Sequence, residues 1–192
     1  MKRPPRRLTG RVQTLHSDGP RAAGQSVVSP GPFPEDDMGL PIDFTKLKAH
    51  DALDIAVYAE QEAQEQYEHF ASLMDVEGKA DAAAFFRRMA KLEDRHRAQI
   101  AARRAELFPG VPVTVKNVAV WGIESADQDK LSAKLTQRDA LLVALEAETR
   151  ARDYYSEAME HLNVPQVTEL FGELRDSEIE HQRLLKAELE RL

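Results

Sequence analysis

Two stretches of the 192-residue chain carry the same set of metal-binding residue types. The first is Glu60, then Tyr67 seven residues later, then the Glu-x-x-His pair Glu93 and His96. The second is Glu148, Tyr155, Glu178 and His181, with the same seven-residue step from Glu to Tyr. Each Glu-x-x-His pair has i, i+3 spacing, so on a helix both side chains share one face. Four carboxylates and two imidazoles are a donor set for two divalent cations. Carboxylates buried without partners would be strongly destabilising, and two cations of charge +2 offset four charges of −1. Hard oxygens with one imidazole per metal favour iron or manganese over zinc, which prefers four tight nitrogen or sulfur ligands. A lone Glu-x-x-His on a Glu-rich helix is weak evidence. Two at matched spacing, each preceded by Glu-x6-Tyr, are not explained by ordinary charged helix faces.

The repeat extends beyond the candidate ligands, which identifies the elements that must position them. Asp51-Ala52-Leu53 precedes Glu60 by nine residues, and Asp139-Ala140-Leu141 precedes Glu148 by nine. Phe86 and Phe171 each precede their Glu-x-x-His pair by seven. The pattern is a duplicated helical hairpin. Apolar residues recur at helical spacing from Phe44 to about Met74, where Gly78 ends the run, and again from Ala80 to Leu107, where Pro109-Gly110 ends it. A third helix is predicted over 136–162, with Thr136 as N-cap and Asp139 completing an imperfect capping box. Asn163 is expected to end it and cap a fourth helix, with Pro165 in its first turn, that runs to the C-terminus. Glu60 and Glu148 sit among alanines (Ala56, Ala59 and Ala63; Ala144, Ala147 and Ala151), so both carboxylates should face the bundle interior. The predicted fold is all-α: a four-helix bundle in which residues 108–135 form one long crossover between helices 2 and 3. Within it Val111–Val115 looks strand-like, and a short helix is expected near Asp127–Leu135.

Residues 1–42 hold seven of the ten prolines and five of the nine glycines and show no helical period. This segment is expected to be a disordered tail. Its functional alternative is a peptide that docks to a partner or a compartment shell. The domain proper would then span 43–192.

Composition narrows the function classes. A net charge of −7 argues against a nucleic-acid binder. The chain has no cysteine, which excludes disulfides, thiolate metal sites and a built-in iron–sulfur centre. Electrons for any redox reaction must come from the substrate or a separate donor. No apolar run approaches the length of a membrane span, and no apolar region follows the basic start, so export is not expected. The expected location is cytoplasmic, or inside a protein compartment addressed by the tail. His50, His69 and His161 lie outside the repeat and are expected on the surface, as are Glu62, Glu65, Glu68 and Glu146.

On Glu60, Tyr67, Glu93, His96, Glu148, Tyr155, Glu178 and His181, the chain resembles the ferritin-like diiron carboxylate proteins, especially the rubrerythrin and bacterioferritin branch. The resemblance covers about residues 46–192 and fills all six ligand positions. It implies two iron ions, with manganese the alternative. Glu60 and Glu148 would be terminal ligands, Glu93 and Glu178 would bridge, and His96 and His181 would bind one metal each. Tyr67 and Tyr155 would hydrogen-bond the glutamates. Three departures refine it. Rubrerythrins carry an extra Glu where this chain has Ala151, and a cysteine-rich rubredoxin domain that it lacks. Bacterioferritins carry a haem-binding Met where this chain has Asp94, so no haem is expected. The resulting expectation is a ferroxidase-type oxidoreductase that oxidises Fe(II) with O2 or H2O2. The alternatives are a peroxide reductase fed by an external electron donor, and a non-catalytic iron-binding or cargo protein. A homo-oligomer, dimer or larger, is expected.

Overall fold

The computed structural model of the chain describes residues 42–113 and 135–192. The expectations for the N-terminal tail and for most of the crossover lie outside these residues. Four long helices account for nearly all the rest: α1 (Ala49–Val76), α2 (Ala80–Leu107), α3 (Gln137–His161) and α4 (Pro165–Leu189). None of them is long and apolar enough to cross a membrane. Val111–Val113, expected to begin a strand, is exposed and non-helical, and no strand occurs among the described residues.

Local chemistry explains the helix ends. Gly78 stands at φ 72°, where a side chain would be strained. There Lys79 N–H reaches Met74 O at 2.9 Å and Gly78 N–H reaches Asp75 O at 3.0 Å, a Schellman turn between α1 and α2. At the start of α3, Thr136 Oγ1 accepts from Asp139 N–H at 3.2 Å while Asp139 accepts in return from Thr136 N–H at 3.0 Å. The capping box is complete with Asp in place of Glu.

Two expectations about helix ends are corrected. The first helix begins at Ala49 rather than Phe44, because Leu47 is extended (φ −70°, ψ 122°) and breaks the run. Phe44–Lys46 forms a separate 3-10 turn, held by Asp43 through Thr45 Oγ1 at 2.6 Å, with Phe44 packed against Tyr154. Asn163 caps nothing: the N-cap of α4 is Val164, with no side-chain cap bond. Pro165 at the first position supplies no N–H to be capped.

Helix directions follow from contacts between the hairpins. Tyr67 reaches Glu148 and Tyr155 reaches Glu60, so α1 and α3 run antiparallel. Gln99 reaches Glu173 and Arg103 reaches Gln166, so α2 and α4 do likewise. With α1 antiparallel to α2, α2 and α3 are parallel.

The core is in two parts. One, at the end where α1 begins, packs Leu53, Ile55, Ile100, Tyr154, Phe171 and Leu174. The other, towards the Gly78 turn, packs Phe70, Met74, Phe86, Met89, Leu141 and Leu185. All of these side chains are buried. Between the two clusters lies a polar layer.

Candidate metal centre

Each helix delivers candidate ligands to that polar layer from the middle of its length. α1 contributes Glu60, α2 Glu93 and His96, α3 Glu148, and α4 Glu178 and His181. The four carboxylates are buried to within 4% of full exclusion, although helix interiors seldom bury unpaired charge. The Ala-rich faces around Glu60 and Glu148 leave no other direction for these side chains.

All six sequence-predicted residues meet. Nδ1 of His96 lies 3.4 Å from Glu60, 3.3 Å from Glu93 and 3.9 Å from Glu178. Nδ1 of His181 lies 3.1 Å from Glu93, 3.3 Å from Glu148 and 3.2 Å from Glu178. Glu93 and Glu178 therefore each stand beside both imidazoles, whereas Glu60 and Glu148 each stand beside one. The two rings stack with centroids 5.3 Å apart and planes at 19°.

The tyrosines complete the layer crosswise. Tyr67 of the first hairpin donates its hydroxyl to Glu148 of the second, and Tyr155 of the second donates to Glu60 of the first. Gln182, which the sequence did not single out, is also buried and donates from Nε2 to the backbone O of Glu148 at 3.2 Å. Its signal was faint: it follows His181 directly, but nothing matches it in the other hairpin, where Arg97 follows His96.

The charges are in tension. Burial raises the Glu60 carboxyl to about 7, although His96 opposes the shift. Burial also raises Glu178, and the neighbouring Glu148 adds to it. Glu93 moves the other way: burial would raise it, but the imidazoles of His181 and His96 outweigh that and lower it to about 2. Burial would lower the His96 imidazole, but Glu60 and Glu93 overcome it and raise it to about 9. His181 is raised in the same way, chiefly by Glu93. Burial and the adjacent glutamates push the Tyr67 and Tyr155 hydroxyls up, so both remain protonated donors.

The donor set fits a pair of hard cations. Glu93 Oε1, Glu178 Oε1 and His96 Nδ1 are buried and make no aligned hydrogen bond. The donor atoms of Glu60, Glu93, His96 and Glu178 all lie within 4.8 Å of one another, as do those of Glu148, Glu178 and His181. Ligands about 2.1 Å from an octahedral cation at right angles stand about 3.0 Å apart. The carboxylate–imidazole separations approach that value. Beside the ligands, between α1 and α3, Ala59, Ala63, Ala147 and Ala151 leave a cavity of ≈ 20 Å³. That is room for about one water-sized molecule.

The remaining acidic and imidazole groups are placed elsewhere. Glu65, Glu68 and Glu146 are exposed as expected, and Glu62 is half-buried. His69 and His161 are exposed, the latter paired with Glu157 at 3.2 Å. His50 is half-buried rather than fully exposed: its side chain is 19% exposed, lies 3.2 Å from Asp51 and meets Phe108 edge-on. Asp54 beside it is buried and takes a two-pronged bond from Arg104, at 2.9 Å and 3.1 Å. Arg104 also donates to the carbonyls of Phe108 and Val111, so a guanidinium already supplies the positive charge there.

A model of the rubrerythrin family matches residues 51–130, which hold α1 from Asp51 onwards, α2 and the first part of the crossover. An uncharacterized conserved protein from Magnetospirillum magnetotacticum MS-1 has a similar structure, with a TM-score of 0.66 and 25% identity; the match covers 76% of this chain and 95% of that one. A hypothetical protein from Pyrococcus furiosus shares the fold at a TM-score of 0.57 and 24% identity, over 79% of this chain and 95% of its own. No curated protein matches the chain.

Proposed function

We propose that this chain, which is similar to the rubrerythrin family over residues 51–130 and shares its fold with a solved neighbour, is a diiron-carboxylate oxidoreductase of the ferroxidase type, oxidising Fe(II) with O2 or H2O2. One observation carries the reading: Glu93 and Glu178 each stand beside both imidazoles, and Glu60 and Glu148 beside one each. In this reading Glu93 and Glu178 would help hold both irons, and Glu60 and Glu148 would each help hold one. His96 and His181 complete one position each. The bound pair supplies one-electron steps in tandem and stabilises the charge that develops on the oxidant.

The protein's own groups have definite tasks around that pair. The Tyr67 and Tyr155 hydroxyls fix the terminal carboxylates by donating to them, which sets the angle each presents to a cation. The alanines on α1 and α3 leave a small space beside the carboxylates, which a small oxidant would need to reach the pair. Burial of the layer keeps its electrostatics strong. With no cysteine in the chain, electrons come from Fe(II) itself or from a separate donor.

An anaerobic Fe(II) titration followed by exposure to oxidant tests the proposal. The expected result is uptake of two irons per chain and fast growth of ferric absorbance. Failure to bind Fe(II) would overturn the diiron reading. Slow reaction with O2 but fast, donor-dependent turnover with H2O2 would replace ferroxidase chemistry with peroxide reduction.

A further inference from the structure

The two hairpins repeat each other, so any difference between the halves of the site is informative. The tyrosine contacts do not differ: each terminal glutamate accepts one hydroxyl from the opposite hairpin. The residue next to each histidine does differ. Gln182, after His181, is buried and crosses from α4 to α3, where it donates to the backbone O of Glu148 at 3.2 Å. Arg97, after His96, stays on its own helix, pairs with Asp94 at 2.6 Å and leaves a buried Nε with no hydrogen bond. Among the described residues Glu60 has no counterpart of the Gln182 tie.

The ligand geometry matches this asymmetry. Around His181 three carboxylates lie at 3.1 to 3.3 Å. Around His96 the corresponding distances are 3.3 to 3.9 Å. The His181 side chain is 3% exposed and that of His96 is 13% exposed. One half is tight, tied between helices and dry; the other is looser and nearer solvent. Ligands held in place before binding lose less freedom on binding, so the tight half should take a cation with higher affinity.

We infer that the two cation positions are unequal: the Glu148–His181 position fills first and binds more tightly, the Glu60–His96 position fills second, and Gln182 is the positioning residue that creates the difference. The inference rests on the diiron reading above and deepens it. The chain would hold one cation as a resident and exchange the other, which makes the Glu60–His96 position the one that handles Fe(II) as substrate.

Anaerobic Co(II) titration of the full chain, followed by visible absorption and calorimetry, tests it without any turnover. Two steps separated by at least about tenfold in affinity are expected. His181→Ala should remove the tight step, and His96→Ala should keep it and lose the weak one. Gln182→Met keeps the side-chain length but deletes the donor. It should weaken the tight step by about tenfold, change the absorption band of the first equivalent and leave the second step as it was. A role in packing alone predicts no change in that variant. Two equal steps, a tight step that survives His181→Ala, or wild-type behaviour of Gln182→Met would each overturn the inference while leaving a two-cation site intact. Absence of any Co(II) binding would instead remove the diiron reading beneath it.

Discussion

Tyr67 donates its hydroxyl to Glu148, which belongs to the other hairpin, and Tyr155 returns the arrangement to Glu60. The two halves of the duplicated chain are thus interlocked at the carboxylate–imidazole layer, where Glu60 and Glu148 each accept the other half's phenol. Tyr67→Phe deletes one such donor at nearly constant volume. Metal affinity is expected to fall about 10-fold to 100-fold, the usual effect of losing a group that orients a ligand. Competition titration with a chelator of known affinity measures it, and an unchanged affinity would remove the orienting role.

Glu178 and Glu93 lie on opposite sides of the charge balance. Glu178 is held above its ordinary range by burial and Glu148, whereas Glu93 is held down by both imidazoles. Glu178→Gln therefore relieves repulsion in the metal-free protein, and its stability to chemical denaturation should rise, by about 1 kcal/mol or more. Glu93→Gln removes the partner of two imidazoles and should lower it. Both variants should lose two-metal binding with helical circular dichroism retained. Identical shifts in the two variants would contradict this division of roles.

Without metal, stability should fall as the solution is made alkaline. The His96 imidazole is raised from an ordinary 6.5 to about 9, so its contribution is complete below pH 6.5 and disappears as pH rises through 9. His181 is raised too and acts in the same direction. Thermal melts of the metal-free protein between about pH 7 and pH 10 should show a declining midpoint. Saturating Co(II) should flatten that decline, because cations replace the lost protons. A metal-free midpoint that rises over this window would show that the imidazoles are not charged in the folded state.

At the far end of the bundle, Arg104 joins α1 to the residues that leave α2 through Asp54, Phe108 and Val111. Arg104→Ala strands the Asp54 carboxylate. Breaking a fully buried pair costs about 3–5 kcal/mol; at the bundle's end, where water is near, about 2–3 kcal/mol is expected. Removing Asp54 as well should recover part of it, which a double-mutant cycle by urea denaturation would measure. Metal affinity should not change in either variant.

Much of the bundle was legible because its signals are local and repeated. Gly78, Pro109 and Pro165 mark turns whose chemistry depends on neighbours in sequence, and α2 runs over the predicted 80–107. The meeting of Glu60, Glu93, His96, Glu148, Glu178 and His181 followed from matched spacing in two copies. The features that escaped depend on tertiary contacts. Leu47 reads as a helical position, yet the chain extends there so that Phe44 can pack on Tyr154. His50 reads as a surface residue near a helix start, but Phe108, from the end of another helix, meets it. Gln182 is an ordinary polar residue on a polar helix until the fold brings it to Glu148. Asn163 has the right chemistry for a cap and is one residue out of place.

The separation of the core into two apolar clusters has a consequence for how the molecule moves. Its ends are apolar and cohesive, while its waist buries four carboxylates around two imidazoles. Opening of the metal-free bundle is therefore expected first at mid-height, near Glu60 and Glu148, and backbone hydrogen exchange along α1 and α3 measures it. A cation admitted from the side would then close the opening that let it in.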